Sequence, residues 1–163
     1  MEYSKAKKIA DSVLQDLKPH CKRIEIAGSI RRKKGYPNDI EIVAIPKPYD
    51  VDLFESGIAT VVNKWERVKG TLPCRYTQRI LPEGIKLDLF FATEDNWGLI
   101  YAIRTGSAEF SHQKLATVWV KQGYHSKDGM LHNQFGEQLP IREEIDLFNL
   151  LGIDWVEPID RII

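Results

Sequence analysis

Two apolar strand-like runs in this chain are broken by acids. In Asp39-Ile40-Glu41-Ile42-Val43-Ala44-Ile45 two carboxylates take alternate positions of a segment otherwise rich in β-branched residues. Strand side chains alternate between faces, so Asp39 and Glu41 share one side, roughly 7 Å apart at Cα, while Ile40 and Ile42 share the other. A third acid, Asp88, interrupts Ile85, Leu87, Leu89, Phe90 and Phe91 in the same way. If the two strands pair, three carboxylates converge on one face. Groups of like charge this close repel. A divalent cation relieves that, and hard oxygen donors suit Mg²⁺, which keeps waters and phosphate oxygens as its other ligands. Two such ions about 3.5–4 Å apart serve in-line phosphoryl transfer. Asp39 and Glu41 alone fit equally well an exposed strand face decorated with acids.

Gly28-Ser29 sharpens the expectation. A strand that ends in Gly-Ser and turns into a helix offers backbone N–H groups and a hydroxyl, and phosphates bind at such turns. Arg32 lies just beyond, with a guanidinium fork matched to phosphate oxygens. A phosphate cradle, two acids about ten residues later and a third acid on a distant strand would place a triphosphate and its metals between them.

The rest of the 163 residues reads as an α+β chain. Apolar spacing predicts a helix over 4–18, ended by Pro19, then a strand in KRIEIAGS with Ile24 and Ile26 alternating against Arg23 and Glu25. A turn at 35–38 precedes the acidic strand, and 51–65 reads as a helix. WERVKG, CRYTQRIL and IKLDLFFA read as strands, the last two joined at Pro82-Glu83-Gly84. The character changes near residue 93. Helices are expected over 97–103 and 108–121, interrupted at Thr105-Gly106-Ser107. A small hairpin follows with Lys127-Asp128-Gly129 at its tip, and a last helix over 142–151 closes at Gly152.

Composition excludes several classes. The chain is 43% hydrophobic and 28% charged, with no apolar run near the ~20 residues of a membrane-spanning helix. MEYSKAKKIADS lacks the apolar core of a signal peptide, so the cytoplasm is expected. Cys21 and Cys74 are read as reduced and buried, and the four histidines show no zinc spacing. The zero net charge hides a split. Residues 1–91 carry 17 Lys+Arg against 12 Asp+Glu, and residues 92–163 carry 6 against 11. Any nucleic-acid contact must therefore use a local patch, most readily in the first half.

GSIRRKKGYPNDIEIV, with KLDLFF downstream, resembles the nucleotidyltransferase signature of the DNA polymerase beta (family X) superfamily. NWGLIYAIRTGSAEF is similar to the family's segment with a Thr-Gly-Ser turn, and EEIDLFNLLGIDWVEPIDR resembles its C-terminal thumb element. The resemblance implies a nucleotidyltransferase palm over 1–93, a mixed sheet with flanking helices, and a small mostly helical thumb with a short hairpin over 94–163. It also implies a DNA-directed DNA polymerase that adds dNMP to a primer 3′-hydroxyl on gapped or short primer-template DNA, as in DNA repair. The partners would be DNA and a dNTP, with no membrane, and a monomer is expected.

Residue by residue, the resemblance makes Asp39, Glu41 and Asp88 the catalytic and metal-binding set, holding two Mg²⁺ for which Mn²⁺ can substitute. Gly28, Ser29 and Arg32 would bind the β and γ phosphates. Thr105 and Gly106 would pack against the sugar and base of the nucleotide. Lys86 matches a basic position facing the primer terminus. Lys33, Lys34, His112 and Lys114 are further expected DNA contacts, and Arg31 is assigned a structural or DNA-facing role. Trp97 and Trp119 are expected in the core.

Several positions depart from the family's pattern. Glu41 stands where many relatives have Asp, and Asn38 stands where glycine is usual. Ile103-Arg104 replace an aromatic pair that excludes ribonucleotides, so weak discrimination between dNTP and NTP is expected. Only about 22 residues precede the strand that enters Gly28, without a helix-hairpin-helix motif, so a minimal palm-plus-thumb enzyme without lyase chemistry is expected. Its DNA grip should be weak and salt-dependent. The alternatives are a nucleotidyltransferase with a non-DNA acceptor, a template-independent terminal transferase, and a non-catalytic DNA-binding relative.

Overall fold

The computed structural model describes residues 1–48 and 57–163, and the chain divides into two units, Met1–Phe91 and Ala92–Ile163. The architecture is α+β, with a five-stranded mixed sheet flanked by helices and a small, largely helical C-terminal region. Among the described residues no helix is long and apolar enough to cross a membrane.

In the first unit, α1 (Tyr3–Leu17) buries Ala6, Ala10, Val13 and Leu17, a helical stripe spaced by three to four residues. A 3₁₀ turn, Lys18–His20, carries Pro19 and feeds β1 (Cys21–Ile26). The short α2 (Gly28–Arg31) leads through the basic segment to β2 (Asp39–Pro46). Then come α3 (Ile58–Val62), β3 (Glu66–Lys69), β4 (Tyr76–Ile80) and β5 (Lys86–Phe91). Among the described residues the helix expected over 51–65 is observed at Ile58–Val62, and the part over 51–56, with Leu53 and Phe54, lies outside the described residues.

Sheet order is β1-β2-β5-β4-β3. β1 runs antiparallel to β2, and β4 antiparallel to both β3 and β5, whereas β5 lies parallel to β2. Ile24, Ile40, Ile42, Ala44, Leu87 and Leu89 form one core with the α1 stripe. Burying that apolar face commits the alternate residues of β2 and β5 to the opposite face. The turn expected at Pro82-Glu83-Gly84 is present, with Gly84 N–H donating to the Leu81 carbonyl at 2.8 Å.

The second unit begins with α4 (Trp97–Thr105). α5 (Ala108–Phe110) passes through a π-helical stretch, Ser111–Ala116, into α6 (Thr117–Lys121), where a continuous α-helix was expected. β6 (His125–Lys127) and β7 (Met130–His132) form the expected hairpin, and β8 (Gln138–Leu139) adds a third strand to it. α7 (Glu144–Leu151) starts two residues later than the apolar pattern suggests. Glu143 is its cap, and the Glu143 N–H donates to Asp146 Oδ2 at 2.9 Å in a reciprocal capping box.

Leu99, Phe110, Leu115, Trp119, Leu147 and Phe148 are among the residues of this unit's core, and Trp97 is wholly buried. Among the described residues no disulfide forms; Cys21 is buried and Cys74 half-buried.

Close approach at Gly98 ties the elements of this unit together. Its N–H donates to the Ile141 carbonyl at 2.8 Å, and a Cβ there would lie 2.2 Å from the Glu143 carbonyl carbon and oxygen. Both neighbours are backbone and cannot swing aside. Gly98→Ala is therefore expected to lower unfolding free energy by about 1–3 kcal/mol or more through overpacking. Urea denaturation of the full chain measures this.

Candidate active site

The parallel register of β2 and β5 sets Glu41 opposite Asp88 and Asp39 opposite Lys86. One carboxylate oxygen from each of Asp39, Glu41 and Asp88 lies within 4.8 Å of the other two. Asp39 and Glu41 are half-buried, and Asp88 is 7% exposed.

Asp88 is held from the neighbouring strand. Its Oδ1 accepts from the Tyr76 hydroxyl at 2.5 Å and from Gln78 Nε2 at 2.8 Å. Gln78 stands opposite Asp88 in the β4–β5 register, and the Tyr76 ring stacks on Phe90 at 4.9 Å. These two donors were missed by the sequence reading. Their signal is the alternation along β4, in which Thr77 and Arg79 are buried and Tyr76, Gln78 and Ile80 take the other face.

The electrostatics record the crowding. Burial pushes the Asp39 carboxyl above its ordinary value, and the Asp88 carboxylate beside it pushes it further. Lys34 and then Arg32 pull it back, while a hydrogen bond with Asp88 adds to the rise. Three hard oxygen donors this close together would fit a divalent cation such as Mg²⁺ or Mn²⁺.

Gly28 closes the site from the β1 side. It sits at φ +60°, and a Cβ on it would lie 2.2 Å from Glu41 Oε2 and 2.9 Å from Glu41 Cβ. Glycine is thus required both by the backbone angle and by contact with the Glu41 carboxylate. The Ala27 N–H donates to the Glu41 carbonyl at 2.8 Å, which carries the β1–β2 pairing into the turn. Ser29 follows, half-buried, and its carbonyl accepts from the Lys34 N–H at 2.9 Å. Arg31 and Arg32 are half-buried, Lys33 and Lys34 exposed, and Lys86 is exposed at the register position facing Asp39. The first unit therefore gathers the three acids, the Gly-Ser turn, Arg32, Lys34 and Lys86 at one end of the sheet.

The remaining expected residues belong to the second unit. Thr105 is 0% exposed, whereas Gly106 is half-buried. A Cβ on Gly106 would lie 2.7 Å from the Phe110 ring. Ser107 caps α5 by accepting from the Phe110 N–H at 3.1 Å, and the Ser107 N–H donates to the Arg161 carbonyl at 2.9 Å. Arg161, fully buried, is ion-paired with Glu144, and its guanidinium lies 4.7 Å from the centroid of the Trp155 ring. His112 and Lys114 are exposed on the π-helical stretch.

Residues 100–162 match the family model of the DNA polymerase beta thumb. This relates the C-terminal part of the chain to family X-like polymerases. No curated protein matches the chain.

The raised pKa of Asp39 has a consequence for stability. A carboxyl that holds its proton more tightly folded than unfolded favours the fold at low pH, and that contribution is lost as pH rises through the folded pKa. Ionised Asp39 thus costs stability at neutral pH in the absence of metal. Asp39→Asn is expected to raise Tm at pH 7 in EDTA by about 2–4 °C, corresponding to roughly 1 kcal/mol for a half-exposed group screened by water. The gain should shrink as pH falls below the Asp39 pKa. Thermal unfolding across pH 3–8 measures both trends.

Proposed function

We propose that this chain is a nucleotidyltransferase of the family X DNA polymerase type, adding dNMP to a primer 3′-hydroxyl on gapped or short primer-template DNA. The observation that carries this reading is the convergence of Asp39, Glu41 and Asp88 against Gly28, in a chain whose C-terminal part matches a polymerase thumb.

In the reaction the 3′-oxygen forms a bond to the α-phosphorus, the bridging bond to the β-phosphate breaks, and pyrophosphate leaves. Asp39, Glu41 and Asp88 would hold two Mg²⁺ or Mn²⁺, which when bound neutralise the phosphates and acidify the attacking hydroxyl. Asp88 takes the hydroxyl proton. Tyr76 and Gln78 both donate to Oδ1, which leaves Oδ2 as the accepting atom. Ser29, the Gly28 backbone and Arg32 hold the β and γ phosphates, and Lys34 adds positive charge beside them.

Lys86, exposed at the register position facing Asp39, contacts the primer terminus. Gly106 borders the nucleotide, and Lys33, His112 and Lys114 contact the DNA backbone. Thr105, the fully buried first residue of that turn, supports it.

Extension of a labelled primer across a one-nucleotide gap, with each dNTP offered separately and Mg²⁺ present, tests the reading. Addition of mainly the complementary nucleotide is expected. Addition regardless of template would indicate a terminal transferase, and no addition in Mg²⁺ or Mn²⁺ would leave a DNA-binding relative. Asp88→Asn keeps an Oδ1 acceptor for Tyr76 and Gln78, so the fold should persist. Losing one charged ligand and the proton acceptor should lower kcat by roughly 10²–10⁴-fold, since several kcal/mol of transition-state stabilisation are at stake.

A further inference from the structure

The second unit carries a cavity of about 290 Å³ with no part in the chemistry above. Gln122, Tyr124, Asn133, Gln134, Phe135 and Leu139 line it. Its size is at the lower end of the ~300–1,000 Å³ of small-molecule sites. Phe135 stands at its rim, 77% exposed, which is unusual for so large an apolar side chain.

The turn that presents Phe135 is tightly held. Asn133 Oδ1 accepts from the Phe135 N–H at 2.9 Å and from the Glu137 N–H at 3.0 Å. The Asn133 N–H donates to the Glu137 carbonyl at 3.0 Å, and the Gly136 N–H to the Asn133 carbonyl at 3.1 Å, with Gly136 at φ +79°. The backbone that carries the ring is therefore held in place before anything binds, which lowers the ordering cost of binding.

The polar lining is uncharged and has unused hydrogen-bonding capacity. Gln122 Nε2 donates to the Leu151 carbonyl at 2.8 Å, which leaves its oxygen as an acceptor. Gln134 Oε1 lies 3.4 Å from where a Cβ on Gly123 would stand, so this side chain folds back toward the cavity. Among the described residues neither the Gln134 carboxamide nor the Tyr124 hydroxyl has a hydrogen-bond partner. An aromatic face beside carboxamides matches the two features of an unpaired nucleobase, its π-surface and its donor–acceptor edge.

We propose that this cavity binds one unpaired nucleobase, stacked on Phe135, with its edge hydrogen-bonded to Gln134 and to the oxygen of Gln122. The site shares no residue with the acid cluster and does not depend on catalysis. The base is that of a free nucleotide or of a single strand.

Fluorescence anisotropy of the full chain with a short labelled oligo(dA) tests this, with dAMP as competitor and a blunt duplex as control. Phe135→Ser, at an exposed position, should leave Tm unchanged and weaken oligo(dA) binding by about 5- to 100-fold, the range for loss of one base–aromatic stack. The salt slope should stay the same, because no phosphate contact is lost. Gln134→Ala should weaken binding in the same direction.

Competition by dAMP would identify the base as sufficient, and oligo binding without dAMP competition would show that the strand is needed; either supports the site. Oligo(dA) affinity unchanged in both variants would overturn it, as would equal losses on the duplex control.

Discussion

The parallel pairing of β2 with β5 is the constraint on which the candidate active site depends. It brings Glu41 and Asp88 face to face across adjacent strands and sets Asp39 two residues along the same edge. The hydrophobic face drives this pairing. Ile40, Ile42, Leu87 and Leu89 are fully buried in one core, and with a side-chain period of two their burial sends all three acids to the other face. A slip of one residue would bury the acids and expose the aliphatics, so core packing enforces the electrostatically unfavourable cluster. Burial first, and the Asp88 carboxylate second, raise the Asp39 pKa, and Lys34 and Arg32 ease it.

Around this edge the supporting contacts have distinct jobs. Tyr76 and Gln78 anchor one oxygen of Asp88. Gly28 lets the backbone touch Glu41, and any side chain in its place would strike that carboxylate. In the second unit the buried Glu144–Arg161 pair performs a comparable task. A charge pair this deep contributes little net stability but is costly to break from one side. It holds the Arg161 carbonyl where the Ser107 N–H can reach it, and so braces the Thr105-Gly106-Ser107 turn from within.

Much of this was legible in the sequence because it violates an ordinary pattern. Acids inside β-branched runs, and a Gly-Ser closing a strand, are anomalies that point to the site directly. The α+β class and the change of character near residue 93 follow from periodicity. What escaped depends on long-range geometry. Tyr76 and Gln78 become site residues only once the β4–β5 register is known. Thr105 stands in a Thr-Gly-Ser turn that reads as exposed in the sequence, yet it is fully buried, which is a tertiary fact. The π-helical stretch Ser111–Ala116, the two-residue β8 and the cap at Glu143 are set by local hydrogen bonding that apolar spacing does not encode.

The most direct test of the account is where a divalent cation binds. Substoichiometric Mn²⁺ added to the isotopically labelled chain broadens the NMR resonances of amides near its site. The account predicts that the amides of Gly28, Ile40, Glu41 and Asp88 broaden first, and that Glu41→Gln removes the effect. Broadening that begins among the acids of the second unit, such as Asp154, Glu157 and Asp160, with the β2–β5 edge unaffected, would contradict it.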